Sequence, residues 1–105
     1  MVDMEFVKLW IDDVRPAPNG YLWCKTVIDA QAAVFVFEEA GDNIALIDID
    51  HDAGEYVYGG GDYIKLLDWL EETGRNYPIR IHSMNPVGVE NMRRIIQKNG
   101  WTEVR

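Results

Sequence analysis

The chain has 105 residues, 48% of them hydrophobic and 27% charged, which fits one globular domain over 1–105 and leaves no room for two. Its single cysteine excludes an internal disulfide framework. Its net charge of −8 disfavours duplex DNA, whose phosphates it would repel, and suits hard cations instead.

The charge is uneven: residues 1–62 hold 13 acids and 3 bases, residues 63–105 hold 5 acids and 7 bases. No apolar run approaches the roughly 18 residues of a membrane span, so no membrane association is expected. Asp3 and Glu5 near Met1 do not resemble a basic, then apolar, export signal, and a cytoplasmic location is expected. Cys24 beside Trp23 reads as a packed thiol, not a nucleophile.

In chain order, Phe6 to Ile11 reads as a strand that stops at Asp12-Asp13, followed by a turn-rich loop from Arg15 to Gly20. Tyr21 to Lys25 fits a short second strand. Thr26 is placed as the N-cap of a helix running to Glu39, with Asp29 completing a capping box and Gly41 as the stop. Ile44 to Ile47 is a short, nearly continuous apolar run, the pattern of a strand buried on both faces. Ala53 to Gly61, ending in three glycines, reads as a mobile loop with the makings of a lid. Asp62 is expected to cap a helix carrying Ile64, Leu67 and Leu70 at helical spacing, with Gly74 as its stop. Pro78 to Ile81 reads as a strand, Asn85-Pro86 as the cap and first residue of a helix to Asn99, and Trp101 to Val104 as a last strand. Strands alternating with helices imply an α/β fold with right-handed crossovers and a parallel sheet.

In such a sheet, ligands sit beyond the carboxyl ends of the strands. Three predicted strands end there in ionisable residues: Asp12-Asp13, then Asp50-His51-Asp52, then His82-Ser83. Carboxylates from two strands can hold an octahedral divalent ion with water in the remaining positions; Asp12, Asp13, Asp50 and Asp52 are the candidate ligands, for Mg²⁺ or alternatively Mn²⁺. Asp50 is also a candidate nucleophile. His51 and His82, the two histidines of the chain, are candidates for general base and acid. Ser83, Asn85 and Arg15 are the candidate phosphate-binding residues, Asn85 because it opens a helix whose free N–H groups attract phosphate. The competing structural reading is that aspartates at strand ends serve turn chemistry alone, and that His82 is a satisfied polar residue. Asp48, inside the strand, fits pairing with a base such as Arg80 better than ligation. Arg93, Arg94 and Lys98 fit a solvated face.

Three stretches, Leu-Trp-Ile-Asp-Asp-Val-Arg-Pro-Ala-Pro, Ile-Asp-His-Asp-Ala-Gly and Ile-His-Ser-Met-Asn-Pro-Val-Gly, resemble the cyclic-phosphate-processing receiver-like family, a divergent branch of the response-regulator receiver fold. The resemblance runs from Phe6 to about Val104. It implies a five-stranded parallel sheet of order 2-1-3-4-5. It matches Asp12 and Asp13 to the acidic pair that holds Mg²⁺, Asp50 to the phospho-acceptor position, and Ser83 to the hydroxyl that contacts a phosphoryl group. His51, Asp52, His82 and Asn85 match the polar positions that distinguish this branch. It also implies action on cyclic phosphates of nucleotides or RNA ends. The chain departs from signalling receivers in lacking the lysine at the end of the last strand and the first and last receiver helices.

Two functions follow as expectations: a metal-dependent phosphoesterase acting on a small cyclic-phosphate ligand, or a degenerate receiver serving as a phosphorylation or protein-binding module without turnover. A third, an acidic decoy for a basic protein, follows from charge alone. The sequence names no protein partner.

Overall fold

The structure is a computed structural model that describes residues 6–105, so the N-terminal stretch with Asp3 and Glu5 lies outside the described residues. Its elements in order are β1 (Phe6–Ile11), β2 (Tyr21–Cys24), α1 (Val27–Glu39), β3 (Asn43–Ile49), a 3₁₀ helix (Gly54–Gly59), α2 (Ile64–Glu72), β4 (Ile79–Ile81) and α3 (Pro86–Asn99). The sheet is parallel throughout, in the order β2-β1-β3-β4.

The expected fifth strand is not formed. Trp101 to Val104 reaches the sheet beside β4 through one bridge, Ile79 with Glu103, made by Ile79 N–H to Thr102 O and Val104 N–H to Ile79 O. Glu103 is meanwhile chelated by Arg93 of α3 at 2.7–2.9 Å, which ties this segment to a helix as much as to the sheet. No helix lies between β1 and β2, where the loop from Asp12 to Gly20 takes its place.

Pairing sets which residues share a face. Leu9 lies beside Leu22 and Ile47, Ile11 beside Cys24 and Ile49, and Ile47 beside Ile79. This face joins Val34 of α1, Leu67 of α2 and Met92 and Ile96 of α3 in one buried cluster, the source of most of the hydrophobic stabilisation. Three helices therefore draw on one face of the sheet. The other carries Lys8, Trp10, Tyr21, Trp23, Leu46, Asp48 and Arg80.

The helix ends follow local chemistry. Thr26 Oγ1 accepts the Asp29 N–H at 2.9 Å and opens α1, although Asp29 makes no return bond among the described residues. Asn85 opens α3, accepting the Gly88 N–H at 3.0 Å with Pro86 following, and Gly100 ends it in the left-handed region at φ 67°. Asp62 does not cap α2. Its carboxylate accepts the Ala53 N–H at 2.9 Å instead, and α2 starts from Tyr63 without a side-chain cap. The glycine-rich segment read as a loop is a 3₁₀ helix, and Gly59 lies so close to Thr26 that a Cβ there would fall 2.6 Å from Thr26 Cγ2.

Candidate functional site

Parallel pairing brings the ends of β1, β3 and β4 to one edge, and the polar residues that follow them meet there. Asp12, fully buried, is held from three sides. Its Oδ1 accepts the N–H groups of Val14 at 3.0 Å and Arg15 at 2.9 Å, and its Oδ2 lies 2.7 Å from His82 Nε2. The other ring nitrogen of His82 lies 2.7 Å from Oδ1 of Asp48, also fully buried, whose Oδ2 accepts from Arg80 at 3.0 Å. The imidazole stacks on Trp10 at 3.9 Å between centroids with planes 3° apart. Burial opposes the charge on His82, but Asp48 and Asp12 outweigh it and raise its pKa, and two carboxylate oxygens facing the two ring nitrogens favour the doubly protonated ring. Burial likewise opposes ionisation of Asp12, but the Arg15 and Val14 amides and His82 prevail and lower its pKa.

Asp13 and Asp50 complete the acidic side. Asp50 accepts its neighbour's amide, His51 N–H, at 2.7 Å. Asp13 has a raised pKa, first from burial and then from the negative charges of Asp12 and Asp50. It lies so close to Gly54, whose φ is 56°, that a Cβ at residue 54 would collide with the Asp13 carboxylate. One ligand atom each from Asp12, Asp50 and His82 falls within 4.8 Å of the other two.

A second set of bonds runs alongside. His51 Nδ1 lies 2.8 Å from Asp52 Oδ1, and Asp52 Oδ2 receives the Asn85 Nδ2–H at 3.4 Å. The His51 ring rests on the first turn of α3, where a Cβ at Gly88 would fall 2.6 Å from its Cδ2 and 2.8 Å from its Nδ1. His51 Nε2 has no hydrogen-bond partner among the described residues. Ser83 Oγ accepts the Asn85 N–H at 3.1 Å, and Arg15 Nη1 donates to His82 O at 3.2 Å.

Every candidate named from the sequence lies at this edge, in two groups. Asp12, Asp13, Asp50 and His82 form one; His51, Asp52, Asn85 and Ser83 form the other, with Arg15 above His82. Asp52, 60% exposed, turns toward His51 and Asn85 rather than toward the other acids. Trp10, Trp23, Gly54 and Gly88 also build the site, though none is among the candidates the sequence offers. Trp23 donates its indole N–H to Asp12 O at 2.8 Å, and Trp10 donates to Arg15 O at 2.8 Å, so the indoles fix the loop that carries the acidic pair. Gly88 carries a legible signal: a glycine within a helix costs about 1 kcal/mol relative to alanine and asks for a packing reason.

The donors fit a hard cation. Asp13 and Asp50 have oxygens to offer, Asp12 Oδ2 has a lone pair beyond its bond to His82, and the repulsion from Asp12 and Asp50 that adds to burial in raising the Asp13 pKa is what a divalent ion would relieve. His82 fits ligation poorly, because both of its nitrogens are already bonded to carboxylates.

No curated protein and no solved structure gives a significant match to the chain. The family model described as the cyclic-phosphate processing receiver domain matches residues 7–98, nine-tenths of the sequence and every residue of the two groups above. With a parallel sheet of receiver-like order and an acidic cluster at the ends of its strands, the chain belongs to the cyclic-phosphate processing receiver domain family.

Proposed function

We propose that the domain is a metal-assisted phosphoesterase that opens cyclic phosphates of nucleotides or RNA ends. The observation that carries this reading is the His51–Asp52 pair beside the acidic cluster. A histidine with one nitrogen held by a carboxylate and the other unpartnered among the described residues is arranged for general base catalysis. A signalling receiver that only accepts a phosphoryl group has no evident use for it.

In this reading Asp12, Asp13 and Asp50 hold Mg²⁺ or Mn²⁺, which when bound neutralises phosphate charge and polarises a phosphate oxygen. His51 Nε2 takes a proton from water, the water oxygen bonds to phosphorus, and one ring P–O bond breaks. The released oxygen takes up a proton from solvent and becomes a hydroxyl, His51 returns its proton to solvent, and a phosphomonoester is left. Asp52 holds the His51 tautomer and steadies the imidazolium that forms, and Asn85 holds Asp52. Arg15 and Ser83, which flank the same strand end, are assigned to the phosphate oxygens in this reading. His82 keeps its protons and fixes Asp12, which makes it a positioning residue.

Phosphorus NMR of 2′,3′-cyclic nucleotides tests the reading. Ring opening is expected with Mg²⁺ or Mn²⁺, and neither in EDTA nor with Asp50→Asn. His51→Gln is expected to slow turnover about a hundredfold to ten-thousandfold while leaving Mg²⁺ affinity within about twofold. Equal loss of turnover and metal binding would remove His51 from its role. Absence of turnover together with acyl-phosphate formation at Asp50 from a small phosphodonor would favour the phosphorylation module.

A further inference from the structure

The side of the sheet away from the helices is unusual. Parallel sheets are ordinarily covered on both faces, yet α1, α2 and α3 all feed the cluster built on Leu9, Ile47 and Ile79. Among the described residues, no helix packs on the face carrying Lys8, Trp10, Tyr21, Trp23, Leu46 and Arg80. The loop from Asp12 to Gly20 shields Trp10, which is 8% exposed, but Lys8, Tyr21, Trp23 and Leu46 remain half-buried and Arg80 is exposed.

The composition of this face is equally particular. Residues 1–62 contain three bases, and all three lie on it or at its rim. Lys8 Nζ sits 4.7 Å from the Tyr21 ring centroid and Lys25 Nζ 4.4 Å from that of Trp23, while Arg15, whose backbone carbonyl accepts from the Trp10 indole, reaches the His82 carbonyl at the rim with its guanidinium. Arg80 of β4, exposed and paired at 3.0 Å with the buried Asp48 of the same face, adds a fourth cation. A molecule of net charge −8 has thus gathered cations and aromatic rings on one bare sheet. The stripe leads toward the acidic edge, because the Trp23 indole is bonded to the backbone of Asp12.

We infer that this helix-free face is a platform for single-stranded RNA, with bases stacking on Tyr21 and Trp23 and phosphates met by Lys8, Lys25 and Arg80. Local charge on this face favours this occupant over a second copy of the chain, which would bring the same cations against themselves. An aromatic and basic four-stranded sheet is also a surface on which single strands are read. A duplex would present its charge without its base faces. The choice of RNA over DNA rests on the proposed reaction, because a terminal 2′,3′-cyclic phosphate requires a 2′ oxygen; the platform would deliver such an end to the acidic edge.

Fluorescence anisotropy with a short labelled RNA ending in a 3′-hydroxyl, in EDTA, tests the platform without requiring turnover or metal. Binding is expected to weaken about tenfold with Tyr21→Ala. Lys8→Ala should reduce the slope of log affinity against log salt by about 0.7. Arg94→Glu, at an exposed cation on α3, should leave binding unchanged. Binding that is absent, or weakened equally by Arg94→Glu and Tyr21→Ala, would overturn the platform even if cyclic mononucleotides are hydrolysed. Self-association in sedimentation that is lost with Tyr21→Ala would overturn it in favour of a second copy. Binding with the expected pattern but no hydrolysis of any cyclic phosphate would keep the platform and remove the proposed reaction.

Discussion

Gly88 is the residue at which packing and chemistry can be separated. It lies in the first turn of α3, directly under the His51 ring. Alanine there gains helix propensity, about 1 kcal/mol, and loses by overpacking, about 1–3 kcal/mol, so Gly88→Ala should change stability by no more than ~2 kcal/mol. The ring has to move, however, and a displacement of about 1 Å in a catalytic group costs about a hundredfold in rate. A near-normal thermal melt, a shifted His51 ring resonance and turnover about a hundredfold down are expected together. Normal turnover would mean that the ring position is immaterial. His82 gives the opposite pattern. Asp12 and Asp48 are fully buried on either side of it, so His82→Ala leaves two buried carboxylates without the cation between them. A loss of about 3–5 kcal/mol in urea unfolding is expected, as for breaking a buried ion pair.

At the level of elements, strands and helices were legible where pattern and punctuation coincide. Thr26 before an apolar run and Asn85-Pro86 before α3 placed both caps correctly, since capping is local hydrogen bonding. The failures are contacts that no local pattern contains. Trp101 to Val104 has strand-like residues, but Arg93, in the middle of α3, engages Glu103, and the segment makes a single bridge. Asp62 has the pattern of a cap, but the fold uses it to hold the Ala53 amide across the 3₁₀ helix. The pairing of Asp48 with Arg80 was anticipated; that His82 would share the same carboxylate was not, because it depends on β3 running two residues past the apolar run to Ile49.

One such non-local contact gives a pH prediction. Glu38 in the last turn of α1 is chelated by Arg75 at 2.9–3.2 Å and also accepts from Tyr77, while the Arg75 guanidinium lies over Phe35 and Trp69. Arg75, against the cost of burial and with help from Tyr77, holds the Glu38 carboxyl below its ordinary 4.5. Protons therefore bind the unfolded chain more readily than the folded one. The contribution is full above the ordinary value and is lost as pH falls through the lowered one. Glu38→Gln should reduce stability at neutral pH, and the gap between variant and wild type in urea midpoints should close on acidification through that range. A gap that persists in acid would show that Glu38 acts through packing alone.

Over the whole molecule, the acids of residues 1–62 are not spread for solubility alone, since Asp12, Asp13 and Asp50 converge on one edge in mutual repulsion. The convergence was legible because strand ends share an edge in any parallel sheet; the division into two groups was not, because it depends on side-chain directions beyond the strands. Convergent like charges weaken a fold unless a cation or a proton joins them. Asp13→Asn removes one of these charges and keeps the side chain's shape. In EDTA the variant should therefore melt a few degrees above wild type, as about 0.5–1 kcal/mol gives in a domain of this size. Saturating Mg²⁺ should reverse the order: wild type gains about 2–3 kcal/mol when the ion is near a hundredfold above its dissociation constant, and the variant gains much less. Reversal of the melting order between EDTA and Mg²⁺ is the outcome specific to a metal site. If Asp13→Asn melts lower in both, Asp13 is stabilised by hydrogen bonds rather than kept for a cation, and a purely structural acidic edge becomes the better account of the sequence.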